Sequence, residues 1–264
     1  MYEFAYHKAK SIDEAVQAVK GASDGTVMAG GMTLLPTMKQ RLASPSDVVD
    51  LSGISGLSGI SRDGDNIVIG AMTTHAEVAS SEVVASAIPA LAHLAGLIGD
   101  PQVRNRGTIG GSIANADPAA DYPAAVVGLN ATVTTNQRTI AADDFFTDLF
   151  ETALADGELI TSVSFPVPTK AGYSKFPNPA SRYAVVGVMV AQTGGGVRVA
   201  VTGAGGSAFR VAEMEAALGS NFAPGAVDGI SVSADGLNED IHASAEYRAH
   251  LVGVMAKRAI SAAG

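Results

Sequence analysis

Ala29-Gly30-Gly31-Met32-Thr33-Leu34-Leu35-Pro36 follows directly on a short β-favouring run, Thr26 to Ala29. Paired glycines after a strand do two things that a phosphate site requires. They permit positive φ, and without a Cβ they let backbone N–H groups approach a phosphate oxygen. The arrangement recurs at Thr108-Ile109-Gly110-Gly111-Ser112-Ile113-Ala114-Asn115-Ala116-Asp117-Pro118, with Asp121 close behind. Either loop alone reads first as a tight turn, since glycine is the commonest turn residue. Two such loops, each with a nearby hydroxyl residue, shift the balance toward a pyrophosphate held chiefly by backbone donors. Thr33, Thr108 and Ser112 would add hydroxyls, and Asp117 or Asp121 could accept from a ribose or ribityl hydroxyl. No Gly-Lys-Ser/Thr follows either pair, so neither is a Walker loop.

Around the first loop the pattern is helix, strand, glycine loop, helix, strand. Ser11 and Glu14 form a capping box, Ile12, Ala15, Val16 and Val19 share a helix face, and Gly21 caps its end. Leu34 to Leu42 reads as a turn or short helix and Val48 to Leu51 as a strand. Beyond Ile54 come a strand at Ile67 to Ile69 and helices at Thr74 to Ala85 and Ile88 to Leu97. Next are a hairpin of Ala131 to Thr135 with Arg138 to Ile140, a helix at Phe145 to Leu154, and a strand at Leu159 to Phe165. Pro166, Pro168, Pro177 and Pro179 mark a linker. After it, Ala184 to Gln192 and Val197 to Thr202 form a hairpin, Val211 to Leu218 a helix, and the chain closes in a long helix. In that last helix Ala243, Tyr247, Leu251 and Met255 step by four and should share a face. The resulting division is 1–53, 54–168 and 169–264.

A length of 264 residues with 47% hydrophobic content and a mean hydropathy of +0.24 supports a substantial buried core. Aromatic residues are 5% and Trp is absent, so stacking platforms for single-stranded nucleic acid are scarce. A net charge of −9 argues against nucleic-acid and anionic-membrane partners. Uncharged backbone donors would let such an acidic chain hold a pyrophosphate without a Lys/Arg cluster. The absence of cysteine excludes a disulfide framework, a thiol nucleophile and a conventional iron–sulfur cluster in these residues. The five histidines are scattered, with none paired at metal-ligand spacing, so no metal site is expected. The N-terminus lacks the apolar core of a secretory signal and no run is long enough to span a bilayer, which leads to the expectation of a soluble, cytoplasmic protein.

The chain resembles the medium, FAD-binding subunit of the carbon monoxide dehydrogenase and xanthine dehydrogenase group of molybdenum hydroxylases. The matching stretches, in order along essentially the whole chain, are AGGMTLLPTMKQRLASP (29–45), IGAMTTHAEV (69–78), DPQVRNRGTIGGSIANADPAAD (100–121), GELITSVSFPVP (157–168) and YRAHLVGVMAKRA (247–259). The resemblance implies an α+β fold: a two-part FAD-binding domain of the PCMH (vanillyl-alcohol-oxidase-like) type, then a small C-terminal domain with an antiparallel sheet and helices. It implies that Ala29, Gly30, Gly31, Met32, Thr33 and Leu34, with Thr108, Ile109, Gly110, Gly111 and Ser112, embrace the FAD pyrophosphate. Asp121 would hold the ribityl or phosphate region, Ile98 would pack near the flavin, Ile160 and Lys175 would approach the cofactor, and Tyr183 would lie beside the isoalloxazine ring. Met32 stands where the carbon monoxide enzymes carry His, and Pro177 disturbs the match around Lys175.

The resemblance further implies a division of labour. A large subunit holds molybdopterin, a small subunit carries two 2Fe–2S clusters, and this chain passes their electrons through FAD to an external acceptor, in a dimer of heterotrimers. Flavin chemistry needs binding and orientation, not a protein nucleophile, and no catalytic dyad stands out. The alternatives are a stand-alone FAD-dependent reductase or oxidase of the same fold, and a binding module that has lost its cofactor. Other features read more plainly. His75 and His93 read as surface helix residues, Asp143-Asp144 as a helix N-terminus, and Arg104 and Arg106 as solvated, pyrophosphate-facing or partner-facing. Gly203-Ala204-Gly205-Gly206-Ser207-Ala208 mimics a dinucleotide fingerprint, but its preceding strand belongs to a hairpin, so a tight connection is expected.

Overall fold

The computed structural model describes residues 1–264. The first fifty residues alternate strand and helix: β1 (Ala5–Lys8), α1 (Ile12–Gly21), β2 (Gly25–Met28), α2 (Leu34–Lys39) and β3 (Asp47–Asp50). All pairing here is parallel, in the order β1-β3-β2, with Val27 beside Val49. Parallel neighbours need crossover connections, and α1 and α2 supply them. Strand β1 escapes the sequence pattern because its four residues are all exposed. Ser11 accepts from the Glu14 N–H at 3.1 Å, but Glu14 caps Lys10, not Ser11. Gly21 is the last helical residue and Ala22 closes the helix.

The central region opens with β4 (Ile60–Asp63) and β5 (Asn66–Gly70). A helical layer follows: α3 (His75–Ser80), α4 (Glu82–Ala87), α5 (Pro89–Gly96), α6 (Pro101–Arg104), α7 (Ile109–Asn115) and α8 (Tyr122–Gly128). The single helix expected over Thr74 to Ala85 is two, because Ser81 adopts an extended backbone and its hydroxyl caps Val84 N–H. Strands β6 (Thr132–Thr135) and β7 (Thr139–Ala141) form the expected hairpin and lead into α9 (Ala142–Phe145). The helix expected over Phe145 to Leu154 is absent beyond Phe145. In its place lies the ribbon β8 (Phe146–Asp148) and β9 (Glu151–Thr152), turned at Phe150 with φ 56°. Consecutive Phe145, Phe146 and Thr147 favour extended backbone.

Strand β10 (Ile160–Pro166) then returns to the middle of an antiparallel sheet of order β4-β5-β10-β6-β7. Ile67, Ile69, Val133, Val163 and Phe165 alternate into one fully buried face against the helical layer. A register shift between Ile160 and Ser162 bulges the start of β10.

The last sheet runs β11 (Lys170–Pro177), β12 (Ala184–Thr193), β13 (Gly196–Thr202) and β14 (Phe209–Arg210), antiparallel throughout. The linker is therefore only the few residues around Pro168: Pro177 ends β11 and Pro179 lies in the next loop. Proline is tolerated there because β11 is an edge strand. Helices α10 (Ala212–Ser220) and α11 (Ala245–Ala262) cover one face. Gly172 lets α11 approach closely, since a Cβ there would overlap the Ala259 carbonyl. Leu251, Val252, Met255 and Ala256 are buried, but Tyr247 is 43% exposed and Ala243 precedes the helix, so the four-residue stripe is only half right. The other face of β12, with Met189 and Ala191, joins the central core. The fingerprint mimic joins β13 to β14, an antiparallel pair, with Gly203 at φ 84°.

Candidate functional site

A cavity of about 590 Å3 lies where the three sheets meet, a size typical of cofactor pockets. Its middle is the junction of the two glycine loops. Strand β2 ends at Met28, the chain turns through Ala29 to Thr33 with Gly31 at φ 73°, and α2 begins at Leu34. Every backbone N–H from Ala29 to Leu34 lacks an acceptor within the chain. This run of open donors lines the cavity, as do the Gly30, Gly31, Met32, Thr33 and Leu34 side of the loop generally.

The second loop is built differently. Ile109 N–H donates to Thr73 O, Gly110 to Ala71 O, Gly111 to Thr108 Oγ1 and Ser112 to Thr108 O, at 2.9–3.1 Å. The backbone donors from Ile109 to Ser112 are thus already used, which corrects the expectation that both loops bind mainly through N–H groups. Its glycines act through size: a Cβ on Gly110 would strike Ala71, and one on Gly111 would crowd Thr108 and Ala29. What Thr108, Gly110, Gly111 and Ser112 give the cavity is close approach, the Ser112 hydroxyl, and the neighbouring Asn115 amide. Ile109 points away, fully buried in the core. The loops touch each other, since a Cβ on Gly30 would fall on the Arg106 carbonyl and Gly107.

Ile98, Asp117, Asp121 and Tyr183 also line the cavity. Burial pushes the Asp117 carboxyl up, against one hydrogen bond from Ala119 N–H at 2.9 Å. Asp121 is buried and takes 2.6 Å from the Tyr173 hydroxyl and 2.9 Å from Lys175 Nζ. Burial raises its carboxyl, while Lys175 and Tyr173 oppose the rise. Lys175 does not reach the cavity wall, contrary to expectation. Its ammonium is used behind it, on Asp121 and on the carbonyls of Leu97 (2.9 Å) and Arg182 (2.7 Å). Tyr183 is 43% exposed and its loop is tied to the opposite wall by Arg182, which donates to Gly99 O at 3.2 Å. Arg104 is likewise used on the Ile98 and Gly99 carbonyls, and Arg106 is exposed.

Further lining comes from Thr26, Val27, Leu51, Leu154, Glu158, Leu159 and the bulged Ile160. The Glu158 carboxylate is brought to about 2, first by Arg138 and then by Ala155 N–H and Thr135 against the cost of burial. It braces the segment that forms this wall. Sequence reasoning did not select Glu158, an acidic residue between Gly157 and Leu159 with no motif to mark it.

His75 is the larger surprise. It is buried, not on the surface, and lines the cavity. Burial, and secondarily the charge of Arg104, lowers it to about 4 from 6.5, so the ring is neutral at neutral pH. The unfolded chain binds a proton there near pH 6.5 and the folded one does not. Stability is therefore complete above that value and falls as pH drops toward 4. The full loss should be about 3 kcal/mol. Urea denaturation at pH 7 and 4.5 should show this drop, and His75→Gln should abolish much of it. The Glu158 contribution lies lower, and is lost only as pH falls from 4.5 toward 2.

A family model described as the FAD binding domain in molybdopterin dehydrogenase matches residues 2–168, spanning both loops and the central sheet. The chain belongs to this family. It is therefore an FAD-binding component of an oxidoreductase, with the α+β fold that the family shares. Relatives align along almost the whole chain. The nicotine 6-hydroxylase medium subunit of Paenarthrobacter nicotinovorans is 38% identical over 98% of this chain and 96% of its own length. The carbon monoxide dehydrogenase medium chain of Hydrogenophaga pseudoflava is 37% identical over the same shares. Among solved structures, reconstituted CO dehydrogenase from Oligotropha carboxidovorans superposes with a TM-score of 0.90 at 34% identity, covering 99% of this chain and 98% of that one. No helix is long and apolar enough to cross a membrane.

Proposed function

We propose that FAD lies along the cavity with its diphosphate on the Ala29–Leu34 donors, and that the chain is the electron-relay subunit of a molybdenum hydroxylase. The open N–H run carries this reading, because it offers a dianion several uncharged donors within a chain of net charge −9. Ser112 and Asn115 complete the diphosphate contacts. Asp117 and Asp121 face the ribityl chain, Ile98 and Tyr183 wall the isoalloxazine, and Leu154, Leu159 and Ile160 enclose the adenine. When bound, FAD supplies a centre that takes up and releases electrons singly or in pairs. The protein binds, orients and shields it. Electrons would arrive from 2Fe–2S clusters, which a chain without cysteine leaves to a small partner subunit. A large molybdopterin subunit would choose the substrate, and an external acceptor would take the electrons.

The assembly in this reading is a cytoplasmic dimer of heterotrimers, and the chain divides functionally at 1–53, 54–168 and 169–264. The relatives' names, a medium subunit and a medium chain, support the shared assembly. Purification of the complex from its native host provides the test. Flavin absorbance should accompany this chain together with a cysteine-rich and a molybdenum-containing subunit. A purified complex without flavin, or direct reduction of the isolated chain by the hydroxylase substrate, would overturn the assignment.

A further inference from the structure

Strand β11 passes to β12 through residues 178–183, and three of these, Ser181, Arg182 and Tyr183, line the cavity while remaining exposed. The turn is braced from within. Asn178 Oδ1 accepts from the Ala180 and Ser181 N–H groups at 2.9 and 3.2 Å, and Asn178 O accepts from Arg182 N–H at 2.9 Å. Asn178 N–H donates to Tyr183 O at 2.8 Å. Arg182 sits at φ 63°, a left-handed backbone that a long side chain adopts only where its surroundings enforce it. The turn is thus a preformed unit.

Among the hydrogen bonds that residues 178–183 donate, one leaves the β11–β12 hairpin: Arg182 Nη1 donates to Gly99 O at 3.2 Å. Gly99 and its neighbour Ile98 line the same cavity, in the segment that follows α5. That segment is fixed on its own side, because Arg104 donates to the Ile98 and Gly99 carbonyls at 3.0 Å. The hairpin meets it twice. Lys175 bridges Leu97 O and Arg182 O with an ammonium whose side chain is 3% exposed, and Arg182 reaches Gly99 from an exposed position. Water cannot readily compete for the first tie, but it can for the second. The buried tie suits a hinge and the exposed one a latch. We infer that Arg182 is a positioning residue for the flavin: its bond to Gly99 holds Ser181 and Tyr183 against bound FAD, and FAD leaves when that bond gives way to water. The inference rests on the flavin reading above.

Rates of FAD association with the full-length chain and of release from it, followed by flavin fluorescence, test both. Arg182→Asn keeps a side chain that tolerates the left-handed backbone but is too short to reach Gly99. It should release FAD about fivefold faster, while its association rate and thermal midpoint stay those of wild type. Arg182→Lys retains reach and a donor, and should recover most of the slow release. Iodide should quench the bound flavin more strongly in Arg182→Asn than in wild type or Arg182→Lys. Release from Arg182→Asn within about twofold of wild type would overturn the inference. So would a loss of affinity carried by slower association, because a cation that merely attracts the anionic cofactor acts on its approach. A wild-type chain that takes up no FAD at all would instead overturn the flavin reading beneath it.

Discussion

Gly30→Ala should abolish useful FAD binding, lowering affinity by at least about a hundredfold, while the chain remains folded. The added methyl would land on the Arg106 carbonyl and beside Gly107, both backbone, so neither can step aside as a flexible side chain would. The two loops must then part, and the open donors from Ala29 to Leu34 shift relative to Ser112 and Asn115 of the same cavity. Gly21→Ala serves as the control, since its Cβ meets nothing within 4 Å and the residue is helical. Flavin titration of both variants decides the matter: equal affinity of Gly30→Ala and wild type would mean that the loops do not hold the cofactor.

Lys175→Met should cost about 3–5 kcal/mol of stability, because it strands a buried carboxylate. The side chains of Lys175 and Asp121 are 3% and 4% exposed, and the ammonium also satisfies the Leu97 and Arg182 carbonyls. Burial already raises the Asp121 carboxyl and Lys175 opposes that rise, so removing the cation raises it further and makes the ionised form costlier as pH increases. The penalty should accordingly be larger at pH 8 than at pH 6. Pairing Lys175→Met with Asp121→Asn should restore part of the loss. Denaturant midpoints for the two variants at both pH values would show it, and an unchanged midpoint for Lys175→Met would refute the account.

Much of this site can be read from the residues because glycine pairs act through the backbone, and backbone behaviour follows from local sequence. The first loop, Asp117, Asp121, Ile98, Ile160 and Tyr183 all line one cavity. What local sequence does not reveal is which backbone donors other segments have already taken. The second loop looks like the first in sequence, but Thr73 and Ala71, more than thirty residues upstream, accept from its N–H groups. Lys175 and His75 failed for a related reason: their roles depend on carbonyls and rings from distant segments. The misread ribbon after Phe145 shows the opposite limit, where aromatic and β-branched residues outweighed a weak helical pattern.

Strand β10 occupies the middle of its sheet although it is the last of the five strands to be synthesised. During translation, β4 and β5 on one side and β6 and β7 on the other must wait as two separate hairpins, each with an unpaired edge. Neither hairpin is stable alone in water. The nascent chain thus carries two adhesive edges until Pro166 has emerged from the ribosome, and a product truncated before Ile160 keeps them permanently. Such truncated chains should aggregate rather than yield a smaller folded protein.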